Sequence, residues 1–122
     1  MSISDPSCIF CRIVRGEIPS RKVYEDDDVL AFHDIQPVAP LHLLLIPKAH
    51  VATLYDATDA HVPTLGRIMT LAGRLAKEQG ASDGFRTIVN TGRVGRQEVM
   101  HVHVHVLAGP EPFGPMIARK AS

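Results

Sequence analysis

Between residues 99 and 107 the chain reads Val99, Met100, His101, Val102, His103, Val104, His105, Val106, Leu107, with valine in every gap between histidines. Side chains of an extended strand alternate between faces. A period of two therefore predicts a strand with His101, His103 and His105 on one side and Val102, Val104 and Val106 on the other. At a rise of ~3.3 Å per residue, successive histidines would stand about 6.6 Å apart. Four further stretches read as strands before it. Residues 23–25 begin one, and Asp26, Asp27 and Asp28 turn it into 29–35, where Leu30, Phe32 and Asp34 share one face and Val29, Ala31 and His33 the other. Residues 41–46 are almost continuously apolar, the pattern of a central strand covered on both faces, and Pro47 ends them. Residues 85–90 give one more strand.

Two segments change period. Ile9, Phe10, Ile13 and Val14 recur at helical spacing between Asp5-Pro6-Ser7 and Gly16, a short helix on which Cys8 and Cys11 lie one above the other. Over 59–79, Val62, Leu65, Ile68, Met69, Ala72, Leu75 and Ala76 keep one apolar stripe, with Pro63 tolerable near the start and Gly80 as a stop. Gly66 and Gly73, seven apart, suggest close packing of this helix on the sheet. Residues 1–6 read as a frayed polar lead-in, and 109–122 carry Pro110, Pro112, Gly114 and Pro115 with no period. Strands around one long helix make an α+β fold with an antiparallel sheet. It is expected as a single domain over 1–122, with a core at about 8–109 and 110–122 as a tail.

Composition narrows the partners more than the fold. The 122 residues are 45% hydrophobic and 21% charged, the balance of one globular domain with a real core. Formal net charge is zero, so no overall field favours nucleic acid or an anionic membrane, and a nucleotide would have to be held locally. No run approaches the ~18 apolar residues of a membrane helix, and the N-terminus lacks a basic-then-apolar signal, which points to the cytoplasm.

Three constellations carry chemistry. Imidazoles in a row suit a metal, with a catalytic zinc keeping one position open for water. They equally suit phosphoryl chemistry, in which a neutral imidazole attacks phosphorus and its neighbours move the proton. In the loop 91–98, Gly92 and Gly95 would let backbone N–H groups approach phosphate, with Asn90 and Gln97 as neutral donors and Arg93 and Arg96 as charge. Cys8-x-x-Cys11 can be read as a redox pair, although that motif wants a βαβ context, as two buried thiols, or as half of a zinc site.

His-Val-His-Val-His-Val-Leu resembles the signature of the histidine triad superfamily at every position. The stretches around Cys8–Ile13, Gly16–Pro19, Ala31–Ile35, Ala39–His42 and Ile46–His50 resemble its nucleotide-binding branch, which hydrolyses purine nucleoside phosphoramidates. That resemblance implies a homodimer with one sheet continued across the two-fold axis. It implies His103 as the nucleophile, His105 at the phosphate and in proton transfer, and His42 close by as an orienting or relaying group. It implies Phe32 and Ile35 around a purine base, with His33 beside them, and Asp34 on the ribose hydroxyls. Asn90, Gly95, Gln97 and Val99 would join His103 and His105 around the phosphate of an AMP- or GMP-type nucleotide. Cys8, Cys11, His50 and His101 would hold a structural Zn²⁺. One departure is Glu98, where many relatives carry serine. Alternatives within this reading are cleavage of dinucleoside polyphosphates, a nucleotide-binding scaffold with incidental hydrolysis, and a zinc hydrolase using the triad as ligands.

Overall fold

The computed structural model describes residues 4–117. The expectations for 1–3 and for 118–122 lie outside the described residues. The elements in chain order are α1 (Ile9–Val14), β1 (Lys22–Glu25), β2 (Val29–His33), β3 (Leu41–Pro47), α2 (Val62–Glu78), β4 (Arg86–Ile88) and β5 (Val104–Ala108). The strands form one antiparallel sheet in the order β1-β2-β3-β5-β4. The apolar run of β3 takes the middle, as its lack of alternation requires.

Each face of the sheet has its own core. Val29, Ala31, Leu43, Leu45, Val104 and Val106 pack against Ile68, Leu71, Ala72, Leu75 and Ala76 of α2. On the opposite face Leu30, Phe32, Leu44 and Ile46 pack against Phe10, Cys11 and Ile13 of α1. The period of two read in residues 29–35 and the valines of the histidine run thus sort onto the expected sides. Gly16 at φ +80° and Gly80 at φ +95° close the two helices in the left-handed conformation that glycine adopts without strain.

Several boundaries and packing expectations are corrected. The long helix begins at Val62, not at residue 59. Asp59–His61 form a separate 3₁₀ turn capped by Thr58, because Pro63 suits only a first helical turn. Val62 and Met69 do not face the sheet: they are 62% and 51% exposed, while Leu71 takes the buried place. Gly66 and Gly73 do not mark a close approach to the sheet. Nothing lies within 4 Å of a Cβ built at Gly66, and Gly73 faces only the Phe85 ring. The strand expected over 85–90 is confined to Arg86–Ile88, and that over 29–35 stops at His33, where the Asp34 side chain turns back to accept the Gln36 N–H at 2.8 Å.

The histidine strand is shorter than its pattern. Ladder pairing begins at Val104, because the His101 N–H turns onto the Val99 carbonyl (2.9 Å) and the Val102 N–H onto the Val51 carbonyl (2.7 Å). The row of imidazoles is therefore bent at its first two members, and His101 is carried away from the third.

Candidate functional site

The bend delivers His101 to the thiols of α1. Its Nδ1 lies 3.4 Å from Cys8 Sγ, 3.6 Å from Cys11 Sγ and 3.3 Å from His50 Nδ1, and His50 Nδ1 lies 3.4 Å from Cys11 Sγ. Four donor atoms thus converge on one point. A tetrahedral zinc with Zn–S of ~2.3 Å and Zn–N of ~2.05 Å would set S···N edges of about 3.5 Å and an N···N edge of about 3.3 Å. The donor set matches those edges and fits the ion. The tautomer fits too. His101 Nε2 sits 2.7 Å from the Pro47 carbonyl oxygen, which can only accept, so Nε2 carries the hydrogen and Nδ1 is bare toward the cysteines. Backbone N–H groups of Asp5 and Cys11 donate to Cys11 Sγ and Cys8 Sγ, each at 3.4 Å, which favours thiolate. Burial pushes the Cys8 thiol up and the His101 imidazole down to about 4. Those opposed shifts leave a neutral imidazole ready to ligate and a thiol that needs a neighbouring cation to ionise.

His103 faces the other way. Its Nδ1 is 2.8 Å from the His101 carbonyl oxygen, so Nδ1–H donates and Nε2 keeps a free lone pair. A second chain of tautomers starts at Val38, whose N–H donates to His42 Nδ1 at 3.1 Å. His42 Nε2 then carries the hydrogen and donates to His105 Nδ1 at 2.9 Å, with an Asp34 oxygen 3.4 Å away. His105 in turn keeps its hydrogen on Nε2. The structure so presents a bare Nε2 on His103 beside an Nε2–H on His105, with ring centroids 5.0 Å apart. Burial lowers the pKa of His105 to about 4, reinforced by the neighbouring His103 and His42, and burial also lowers that of His42.

Both histidines open onto a cleft of about 620 Å³. Phe32, His33, Asp34, Ile35, His42, Asn90 and Val99 border it with them, so residues from four separate stretches of the chain converge there. Gly95 and Gln97 do not border it. Gln97 Oε1 accepts the Gly92 N–H at 2.9 Å, and its Nε2 donates to the Ala52 and Val99 carbonyls at 2.7 and 2.9 Å. That carboxamide scaffolds the loop. At Gly95 a Cβ would stand 2.6 Å from the Thr91 carbonyl oxygen, so glycine is required by the coil of the loop itself.

The wall contributed by α1 was missed in the sequence. Phe10 packs edge-on against Phe32, His101 and His103, with centroids 5.8, 5.8 and 5.2 Å apart. Ile9 and Ile13 continue that wall, and Ile9 is 47% exposed. The signal was an apolar residue on the outer side of a helix too short to hide one.

A HIT domain model matches residues 15–111. The chain belongs to the HIT family. Among HIT proteins it is 50% identical to the purine nucleoside phosphoramidase of Escherichia coli strain K12, over 92% of this chain and 94% of that one. It is 48% identical to a 14 kDa zinc-binding protein of Brassica juncea, over 88% and 96% of the two chains. A histidine triad protein from Clostridium difficile superposes with a TM-score of 0.87 at 47% identity, covering 93% of this chain and 99% of that one. The HIT fold thus agrees with the five-stranded antiparallel sheet, the long helix and the short one described above.

Proposed function

We propose that this chain is a nucleotidyl hydrolase that cleaves purine nucleoside 5′-phosphoramidates, or closely related nucleotidyl bonds, through a nucleotidyl-His103 intermediate. The observation that carries this reading is the unshared lone pair on His103 Nε2, fixed by donation of Nδ1–H to the His101 carbonyl and aimed into the cleft. The similarity to a purine nucleoside phosphoramidase supports the substrate class. In the first step Nε2 forms a bond to phosphorus and the bond from phosphorus to the leaving nitrogen breaks. His105 takes up a proton from solvent as the anionic substrate enters beside it and gives it from Nε2 to that nitrogen. Water then attacks phosphorus, the bond to His103 breaks, and the water proton returns through His105. The sum is phosphoramidate plus water giving nucleotide plus amine. Attack places positive charge on the His103 ring, and the His101 carbonyl dipole at Nδ1–H stabilises it where it develops.

Around that centre, Phe32 and Ile35 serve the base, Asp34 the ribose hydroxyls, and Asn90 with Val99 and His105 the phosphate. Gly95 and Gln97 act by holding the loop. Cys8, Cys11, His50 and His101 hold a structural zinc, because four protein ligands leave no position for water. Similarity to a zinc-binding protein supports this, as does the fit of the donor edges. The protein works as a homodimer, with β4 at the free edge of the sheet and the outward face of α2 against the partner. A reducing cytoplasmic setting suits thiols kept for a metal.

The decisive experiment is a single turnover with adenosine 5′-phosphoramidate labelled in the nucleotide. A quenched protein should carry one acid-labile label at His103. Complete hydrolysis without any covalent species, abolished by a chelator, would favour a zinc-bound water instead. Tight AMP binding with neither label nor hydrolysis would favour a scaffold.

A further inference from the structure

Three residues bordering the cleft carry a full charge: Asp34, Arg96 and Glu98. His42 and His105, both lowered by burial, add no positive charge near neutral pH. Arg96 is thus the one permanent cation on the wall of a site that is to receive anions. Among the described residues no ion pair engages either Arg96 or Glu98. Both are exposed at the rim, whereas His103 is only 6% exposed on the floor.

The backbone marks the same residue. Arg96 has φ +60°, and among the described residues it is the only non-glycine in the left-handed region. The loop imposes this conformation: Gly95 is locked against Thr91, the Arg96 N–H donates to the Arg93 carbonyl at 3.1 Å, and the Gln97 N–H to the Gly92 carbonyl at 3.0 Å. Glycine is the residue that such a backbone favours, yet the chain places a guanidinium there. A strained backbone position held by its surroundings at the edge of a site is an outlier from which a role can be argued.

The reaction supplies the direction. In-line displacement sends the leaving group away from the attacking nitrogen. With His103 on the floor, that direction is the open rim where Arg96 and Glu98 stand. Resting on the hydrolase reading above, we propose that Arg96 is a specificity-determining residue that receives a carboxylate on the leaving amine, as in a nucleoside phosphoramidate of an α-amino acid. A guanidinium fork matches a carboxylate in two parallel hydrogen bonds. Glu98 repels a second anion and so limits the site to one.

The test compares two substrates that differ only in this group: the adenosine 5′-phosphoramidate of glycine, and that of glycinamide, whose carboxylate is neutralised as an amide. Arg96→Gly and Arg96→Asn both tolerate the left-handed backbone and remove the charge. In each, the ratio of kcat/KM for the glycine over the glycinamide compound should fall about tenfold from wild type, the loss of one charge-assisted contact. Arg96→Gly should also raise the melting temperature by releasing the strain. Equal losses for both substrates would assign Arg96 to the phosphoryl group and overturn the proposal, as would an unchanged ratio. The same ratio is read as Kd by calorimetry in a His103→Ala background, where no turnover is needed. If wild type hydrolyses neither compound nor adenosine 5′-phosphoramidate while the Kd ratio still depends on Arg96, the hydrolase reading fails and the carboxylate contact of Arg96 stands as a binding determinant. A Kd ratio that ignores Arg96 in that case sinks the inference as well.

Discussion

The carbonyl oxygen of His101 lies 2.8 Å from Nδ1 of His103. His101 turns its own ring to Cys8 and Cys11, while its backbone fixes which nitrogen of His103 carries hydrogen. Two residues therefore join a metal-type cluster to a poised nucleophile, and Phe10 packs its ring against both imidazoles. The bend that shortens β5 makes this possible. In a straight ladder the His101 carbonyl would be engaged across the sheet and unavailable to a side chain of its own strand.

His103→Ala should remove the covalent route and collapse turnover, on the order of 10⁴-fold by analogy with other nucleophile deletions. AMP affinity should stay near normal, since Asp34, Asn90 and the apolar walls remain. His105→Ala should lose less with substrates whose leaving groups need no proton. Steady-state rates with AMP calorimetry check both, and a His103→Ala protein that keeps a tenth of the wild-type rate ends the nucleophile assignment.

Protein purified without added metal should contain one zinc per chain by elemental analysis. Cys11 is 1% exposed at the centre of the cluster. Cys11→Ser should lower the melting temperature by roughly 10 °C, taking about 4 °C per kcal/mol for a chain of this size and a loss of a few kcal/mol with the metal. Metal-free native protein whose melting curve is the same in chelator would dispose of the site.

How far the sequence announced this site depends on whether the signal was local. The period of two in the histidine run sorted Val104 and Val106 onto the α2 core, Gly16 and Gly80 stopped their helices as expected, and Pro47, read as the stop of its strand, is instead the last residue in it. These are properties of a few adjacent residues. The approach of Cys11 to His50 and His101 spans 39 and 90 residues. Periodicity carries no such information, and only the family resemblance suggested the grouping. Phe10 escaped for a related reason, since one apolar residue on a six-residue helix looks the same whether it fills a core or lines a cleft. The stripe reads Met69 and Val62 as inward because periodicity marks an apolar face and not what that face meets.

That face yields the next prediction. Val62 and Met69 stand exposed on α2 with Gly66 between them, Phe85 is 40% exposed beside Gly73, and among the described residues β4 pairs on one side only. A two-fold contact would be isologous and cover the same residues twice. Met69→Glu places two carboxylates in it and should convert a dimer mass into a monomer mass by light scattering at micromolar concentration. Wild-type protein that is already monomeric there rules this surface out as a standing interface.

Acid should loosen the fold before its carboxylates titrate. His105 ionises at about 4 in the folded chain because burial and the neighbouring imidazoles disfavour its charged form, against about 6.5 when unfolded. Between those values the unfolded chain binds more protons, so stability rises with pH across the window and is lost as pH falls from about 6.5 toward 4. His42, also lowered by burial, adds in the same direction. Asp5, Glu17 and Glu25 are lowered by their hydrogen bonds, and their contribution is present above the ordinary carboxylate range and lost only below it. The two effects are therefore separated on the pH axis. The melting temperature should decline steadily from pH 7 to pH 5, and His105→Gln should decline less over that interval because it has no proton to take up on unfolding. Identical slopes for wild type and His105→Gln would show that His105 is not held neutral by the fold, and would remove the basis for drawing it as a neutral Nε2–H donor.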